Sequence, residues 1–136
     1  MDKPLGYDPL KVILTYGGVA ITGYADGSMI EVERSNDNAI PYIGTQGDGA
    51  FAESADKSGK ITVNLMQTSP SVKYFNDMAK KKGDDASVPV SIVDMNTNAL
   101  QCSGNYARIL KQPKKPVDKE IKEITIEIYV MDLEIE

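Results

Sequence analysis

Residues 61–71, Ile61-Thr62-Val63-Asn64-Leu65-Met66-Gln67-Thr68-Ser69-Pro70-Ser71, hold the change of period on which the fold turns. Ile61, Val63 and Leu65 alternate with Thr62, Asn64 and Met66, the period-2 pattern of a half-buried strand. Ser69-Pro70 then opens a helix. Ser is a good N-cap, and Pro at the first helical position brings a preset φ and lacks a donor that would be unpaired there anyway. Val72, Phe75, Met78 and Ala79 follow at spacings of three and four, one apolar stripe. The helix is predicted over 69–83, with Lys80–Lys82 in the last turn and Gly83 ending it.

Outward from this junction the chain reads as strands. Val12, Leu14 and Tyr16 alternate with Lys11, Ile13 and Thr15, and Gly17-Gly18 signals a tight hairpin leading to Val19 and Ile21. Ile30 and Val32 alternate with Glu31 and Glu33. Alternation then stops over 35–48, a stretch rich in turn formers that reads as a long loop yet carries Ile40, Tyr42 and Ile43. Further strands are expected around 49–55, 88–95 (with Pro89 suggesting an edge or a strand start), 99–110 and 120–133. In the last, Ile124, Ile126, Ile128 and Val130 share a face, and the phase flips at Leu133 and Ile135. That final strand, long and carrying acidic residues, is expected at an edge. Lys111–Pro116 reads as an extended connection. The expected fold is mainly β, a β-sandwich or barrel of about seven or eight antiparallel strands with one flanking α-helix, in a single domain over 1–136.

Composition narrows the chemistry. The 136 residues contain no His, no Trp and one Cys, with 15 basic and 20 acidic residues for a net charge of −5. Without imidazole there is no Ser-His or Cys-His nucleophile pair and no histidine metal ligand. Lone Cys102 cannot form an intramolecular disulfide and reads as a packing residue. The acidic balance argues against a nucleic-acid binder. Met1-Asp2-Lys3-Pro4 has no apolar targeting segment, and no apolar run reaches membrane length. Asn36-Asp37-Asn38 and Asp84-Asp85 do not match calcium-loop spacing and suit turns. Gly44-Thr45-Gln46-Gly47-Asp48-Gly49 lacks the Lys-Ser/Thr of a phosphate loop. Glu31 and Glu33 sit about 7 Å apart along one strand, as any solvated i, i+2 acidic pair does, so a two-carboxylate hydrolase is not favoured. No enzyme activity and no cofactor are expected. A monomeric ligand-binding β-sandwich remains as the alternative, weakened by the scarcity of aromatic residues.

Gly23-Tyr24-Ala25-Asp26-Gly27-Ser28-Met29-Ile30-Glu31-Val32-Glu33-Arg34 resembles a tail tube family of phages and phage-derived contractile particles. So do Tyr7-Asp8-Pro9, Gly44…Gly47…Gly49, Ser54-Ala55-Asp56-Lys57-Ser58-Gly59 and residues 61–71. The likeness covers most of 7–76; Lys80–Lys82 and Lys114-Lys115 stand outside it. The resemblance implies a structural subunit that forms hexameric rings, stacked into the inner conduit of a phage tail or phage-tail-like bacteriocin. It also implies sheath, tape measure and baseplate or terminator proteins as partners, with DNA only as unbound cargo and no membrane binding. The particle would be built in the bacterial host cytoplasm. Stacking would use an N-terminal arm, 1–8, and the 35–48 loop, making Tyr7, Ile40, Tyr42 and Ile43 the inter-ring contact candidates. Glu31, Glu33, Thr62 and Asn64 are the candidates for a polar lumen wall.

Overall fold

The computed structural model describes residues 6–27, 29–96 and 101–136. Ten strands and one α-helix follow in the order β1 (Val12–Tyr16), β2 (Val19–Ala20), β3 (Ile30–Arg34), β4 (Ala39–Ile43), β5 (Gly49–Glu53), β6 (Gly59–Met66), α1 (Pro70–Ala79), β7 (Val88–Asp94), β8 (Cys102–Arg108), β9 (Glu123–Val130) and β10 (Glu134–Ile135). The main sheet is antiparallel in the order β2-β1-β7-β8-β9-β6-β3, with β10 paired to β8.

This sheet curls until its two ends share one stretch of chain. Past β2, the Ile21 N–H donates to the Leu14 carbonyl of β1 at 2.9 Å. Two residues on, the Gly23 carbonyl accepts from Met66 N–H at 2.8 Å, and Ala25 N–H donates to the Asn64 carbonyl of β6 at 3.0 Å. Residues 21–25 therefore pair in turn with β1 and β6, the second strand from each end of the sheet, closing it as a barrel does. Gly23 makes the crossing at φ 78°, and a Cβ there would run into Ser69. Ser69 Oγ accepts from Ser71 N–H, capping α1, and donates to the Thr22 carbonyl at 2.6 Å. One hydroxyl thus fastens the helix start to the closing segment.

The apolar phases of the strands meet inside. Leu14, Tyr16, Ile61, Val63, Leu65, Ile124, Ile126, Ile128 and Val130 are buried, as is Phe75 from the helix. Phe75 packs its ring 5.4 Å from that of Tyr16, and Tyr74 Oη donates to the Tyr16 carbonyl at 2.7 Å. Gly17 and Gly18 take the positive φ values, 60° and 85°, that a two-residue hairpin turn demands.

Several expectations are corrected. The stretch 35–48 is not a plain loop: Ala39–Ile43 pairs with Gly49–Glu53 as a separate two-stranded hairpin. Its turn is closed by Gly44 N–H to the Asp48 carbonyl at 2.7 Å. With both faces in water there is no polar–apolar alternation to read. The helix ends at Ala79, not at 83. There, Lys80 and Lys81 N–H groups reach back three residues, to Asp77 and Met78, so the lysine run lies beyond the last turn. The strand holding Pro89 is interior, between β1 and β8, so the edge reading fails; Pro89 does stand at the strand's start, second in β7, where the register shifts between Val88 and Val90. The final long strand, β9, is also interior, flanked by β6 and β8; the strands at the ends of the order are β2, of two residues, and β3. The turn expected at 96–98 and the start of the strand expected from 99 lie largely outside the described residues, as does most of the arm 1–8.

The hairpin leaves the barrel at a tight root. Arg34 Nη1 donates to the carbonyls of Lys57 (2.8 Å) and Leu133 (2.6 Å), and Ser35 N–H to that of Ser58 (3.1 Å). Asn36 Nδ2 donates to Asp56. Gly59 lies beneath, where a Cβ would meet the Glu33 carbonyl oxygen at 2.7 Å. Two outcomes follow from this packing. Phe75→Ala should lower the unfolding free energy by about 3–5 kcal/mol in urea titration, through lost transfer energy and a cavity. Arg34→Ala should cost about 1–3 kcal/mol in the same assay, because two carbonyls lose a charged donor.

Candidate assembly surface

The residues singled out for stacking fall at two separate places. Ile40, Tyr42 and Ile43 stand on β4; Phe51 of β5, which the sequence pattern did not mark, is opposite Pro41 and shares its face with Ile43, while Ile40 and Tyr42 occupy the other face. These four are 61 to 75% exposed, and every residue of β5 is exposed. A two-stranded hairpin is marginal on its own in water. This one shows four large apolar side chains and buries none of them.

Tyr7 lies elsewhere. It is exposed and lines a cavity of about 450 Å³ with Pro9, Val12, Ala25, Met29 and Ile30. The chain just after it is tied to the end of β7: Asp8 N–H donates to Asn96 Oδ1 at 2.8 Å, and Asn96 Nδ2 to the Asp8 carbonyl at 3.0 Å. Tyr7 therefore neighbours the Ile30 end of β3, whereas the hairpin springs from the Arg34 end. The two stacking candidates are not brought together; they sit at opposite ends of a strand about 13 Å long.

The lumen candidates share one sheet face with one exception. Glu31 pairs in register with Thr62 and Thr62 with Glu127, while Glu33 is opposite Lys60. Lys60 Nζ lies 3.6 Å from Glu127 Oε1. Glu31 and Glu33 are exposed and Thr62 half-buried, a polar surface across β3, β6 and β9. Asn64 is in phase with them but only 8% exposed, and its Oδ1 accepts from Thr125 Oγ1 at 2.9 Å. Its backbone is held by Ala25 N–H, which donates to the Asn64 carbonyl, and by the Met29 carbonyl, which accepts from Asn64 N–H.

Burial pushes the Tyr16 phenol up to about 12 and raises those of Tyr24 and Tyr74. It also raises the Cys102 thiol, the opposite of what a nucleophile needs. Ser58, beside Asp56 at the hairpin root, holds that carboxyl below the usual range, and the Asn36 amide adds to this. A depressed carboxyl stabilises the fold while ionised, so this contact is lost as pH falls through its lowered pKa. Among the described residues no three His, Cys, Asp or Glu side chains stand close enough to hold a metal ion, and no helix is long and apolar enough to cross a membrane.

The accessible surface totals 9577 Å², against about 7,000 Å² for a compact chain of this mass.

Comparison with known proteins agrees with this architecture. No curated protein sequence matches the chain. Its fold is shared with solved assemblies. The anti-feeding prophage cap, a tube terminating cap, superposes with a TM-score of 0.61 at 12% identity, over 100% of this chain and 94% of that one. The sheath/tube terminator of the PVC extracellular contractile injection system gives 0.60 at 11% identity, over 99% and 98%. A chain of the sheath-tube complex of the same system gives 0.62 at 12% identity, over 96% and 91%. Residues 12–135 match the family model of the bacteriophage PhiTE tail tube protein. The chain belongs to that tail tube family.

Proposed function

We propose that this chain is a structural, non-enzymatic tail tube subunit, assembling as hexameric rings that stack into the inner conduit of a phage tail or phage-tail-like bacteriocin. The observation that carries the reading is the hairpin Ala39–Glu53, with Ile40, Tyr42, Ile43 and Phe51 exposed on a unit too small to be stable alone. Covering four such side chains in a neighbouring copy supplies about 1.5–3 kcal/mol for each one fully buried.

Stacking identical rings in one direction is a heterologous, head-to-tail contact and needs two different surfaces on opposite sides of the subunit. The hairpin at the Arg34 end of β3 and the cavity beside Tyr7 at the Ile30 end meet that requirement. The free edge of β3 supports joining within a ring, since an unpaired strand edge is completed by a neighbour's strand. Glu31, Glu33 and Thr62 then suit a polar lumen past which a polyanion slides without sticking. Sheath, tape measure and baseplate or terminator proteins are the expected partners, the subunit itself being made in the host cytoplasm. The alternative of a monomeric ligand-binding sandwich is not favoured by a chain belonging to a tail tube family.

Electron microscopy of the purified protein tests this. The wild type should form rings and, with rising concentration, tubes. A Tyr42→Glu/Ile43→Glu variant should stop short of tubes while keeping its circular dichroism and its stability to within about 0.5 kcal/mol, as expected for exposed positions. A wild type that stays monomeric at every concentration, or a variant that makes tubes equally well, would contradict the reading.

A further inference from the structure

Charge is segregated along this chain in a way that ring assembly leaves unexplained. Residues 69–83 and 109–116 together carry seven lysines and one acidic residue, Asp77, whereas the rest of the chain has eight basic and nineteen acidic residues. The fold brings the two lysine-bearing segments together. Gln112 Nε2 donates to Asn76 Oδ1 of α1 at 2.9 Å. Gln67, at the end of β6, grips the far side of the connection: its Nε2 donates to the Pro116 carbonyl at 2.9 Å, and its Oε1 accepts from Lys122 N–H at 3.1 Å. The connection is thereby held across the helix, with Pro113 and Pro116 stiffening it.

Between them lies a cavity of about 350 Å³. Val72, Pro113 and Ile124 supply apolar lining, and Lys73, Lys114 and Lys115 surround it. All three lysines are exposed. The ion pairs among the described residues are Lys57–Glu134, Lys60–Glu127 and Lys122–Asp118, so none of the three is paired with a carboxylate among those residues. From these features we infer that the face built by α1 and residues 109–116 docks an acidic protein segment, with carboxylates on Lys73, Lys114 and Lys115 and one apolar side chain in the cavity between them.

The charge sign and the pocket favour a protein partner over nucleic acid. Single strands are held by exposed aromatic platforms, and the aromatic side chains of α1 are committed inward, Tyr74 to the Tyr16 carbonyl and Phe75 to the core. The acidic remainder of the chain also repels a long polyanion. A short acidic peptide can seat on Lys73, Lys114 and Lys115 without spanning Glu123 and Glu127, which line the cavities on the other side of Lys114, and it gains from a connection already fixed in place. This inference does not depend on ring formation, and its test reads the isolated protein.

The probe is a fluorescein-labelled peptide of Glu-Glu-Leu repeats, titrated with the protein and followed by anisotropy. Binding should weaken with added salt. The variant Lys73→Glu/Lys114→Glu/Lys115→Glu should weaken it at least about tenfold, and the Gln version of the same three substitutions by less. Lys11→Glu/Lys57→Glu/Lys60→Glu, which changes net charge equally, should leave it within about twofold. No salt-sensitive binding, or equal weakening by both reversals, would overturn the inference. Tighter binding of a thymidine oligonucleotide would reassign the face to nucleic acid. A change in the protein's own sedimentation on reversing Lys73, Lys114 and Lys115 would reassign it to a second copy.

Discussion

Closure of the sheet by residues 21–25 is the constraint from which the rest of the architecture follows. Hydrogen bonds to Leu14 on one side and to Asn64 and Met66 on the other leave the barrel no slack. Gly23 is needed for the crossing, and Ser69 locks the helix onto it. With Asn64–Met66 occupied by this segment, β3 can pair with β6 only over Gly59–Val63. It ends as an open edge pointing out of the barrel. The chain beyond Arg34 has no sheet left to join and pairs with itself as a projecting hairpin. The same closure that completes the core also exports the apolar side chains of β4 and β5.

The resulting subunit is finished inside and unfinished outside. Its interior is close-packed, with the inward residues of β1, β6, β7, β8 and β9 sealed against Phe75 and Met78 of the helix. Its exterior exposes more surface than a compact chain of this mass, and it displays large apolar side chains on the hairpin and lysines on the helix and the 109–116 connection. Such a division suits a part whose stability as a protomer and whose work in an assembly are separate: one rests on the barrel, the other on what is displayed beyond it.

Local signals in the sequence carried the local structure. Ser69-Pro70, Gly17-Gly18 and the Ile124–Val130 alternation each encode a cap, a turn or a face within a few residues, and each is found as read. What failed to show was non-local. β9 reads like an edge because its outer face is acidic, yet that face is solvated while both its hydrogen-bonding edges are taken by β6 and β8, and the period of a strand says nothing about its neighbours. Asn64 keeps the polar phase of β6 but is buried, its amide oxygen taken by Thr125 and its backbone by Ala25 and Met29. The hairpin was hidden for the converse reason: Ile40, Tyr42 and Ile43 flank no polar alternation because no face of β4 is buried. Phe51 escaped notice with it. Lys73 and Lys114, forty-one positions apart, become neighbours only through folding.

The central claim is that β3 and the hairpin find their missing contacts in neighbouring copies. Amide hydrogen exchange measured on protomer and on assembled particle addresses it directly. The account predicts that amides of Ile30–Arg34 and Ala39–Glu53 exchange quickly in the protomer and become strongly protected on assembly, while those of β9 are protected in both. Equal exchange in the two states across β3 and the hairpin would contradict it.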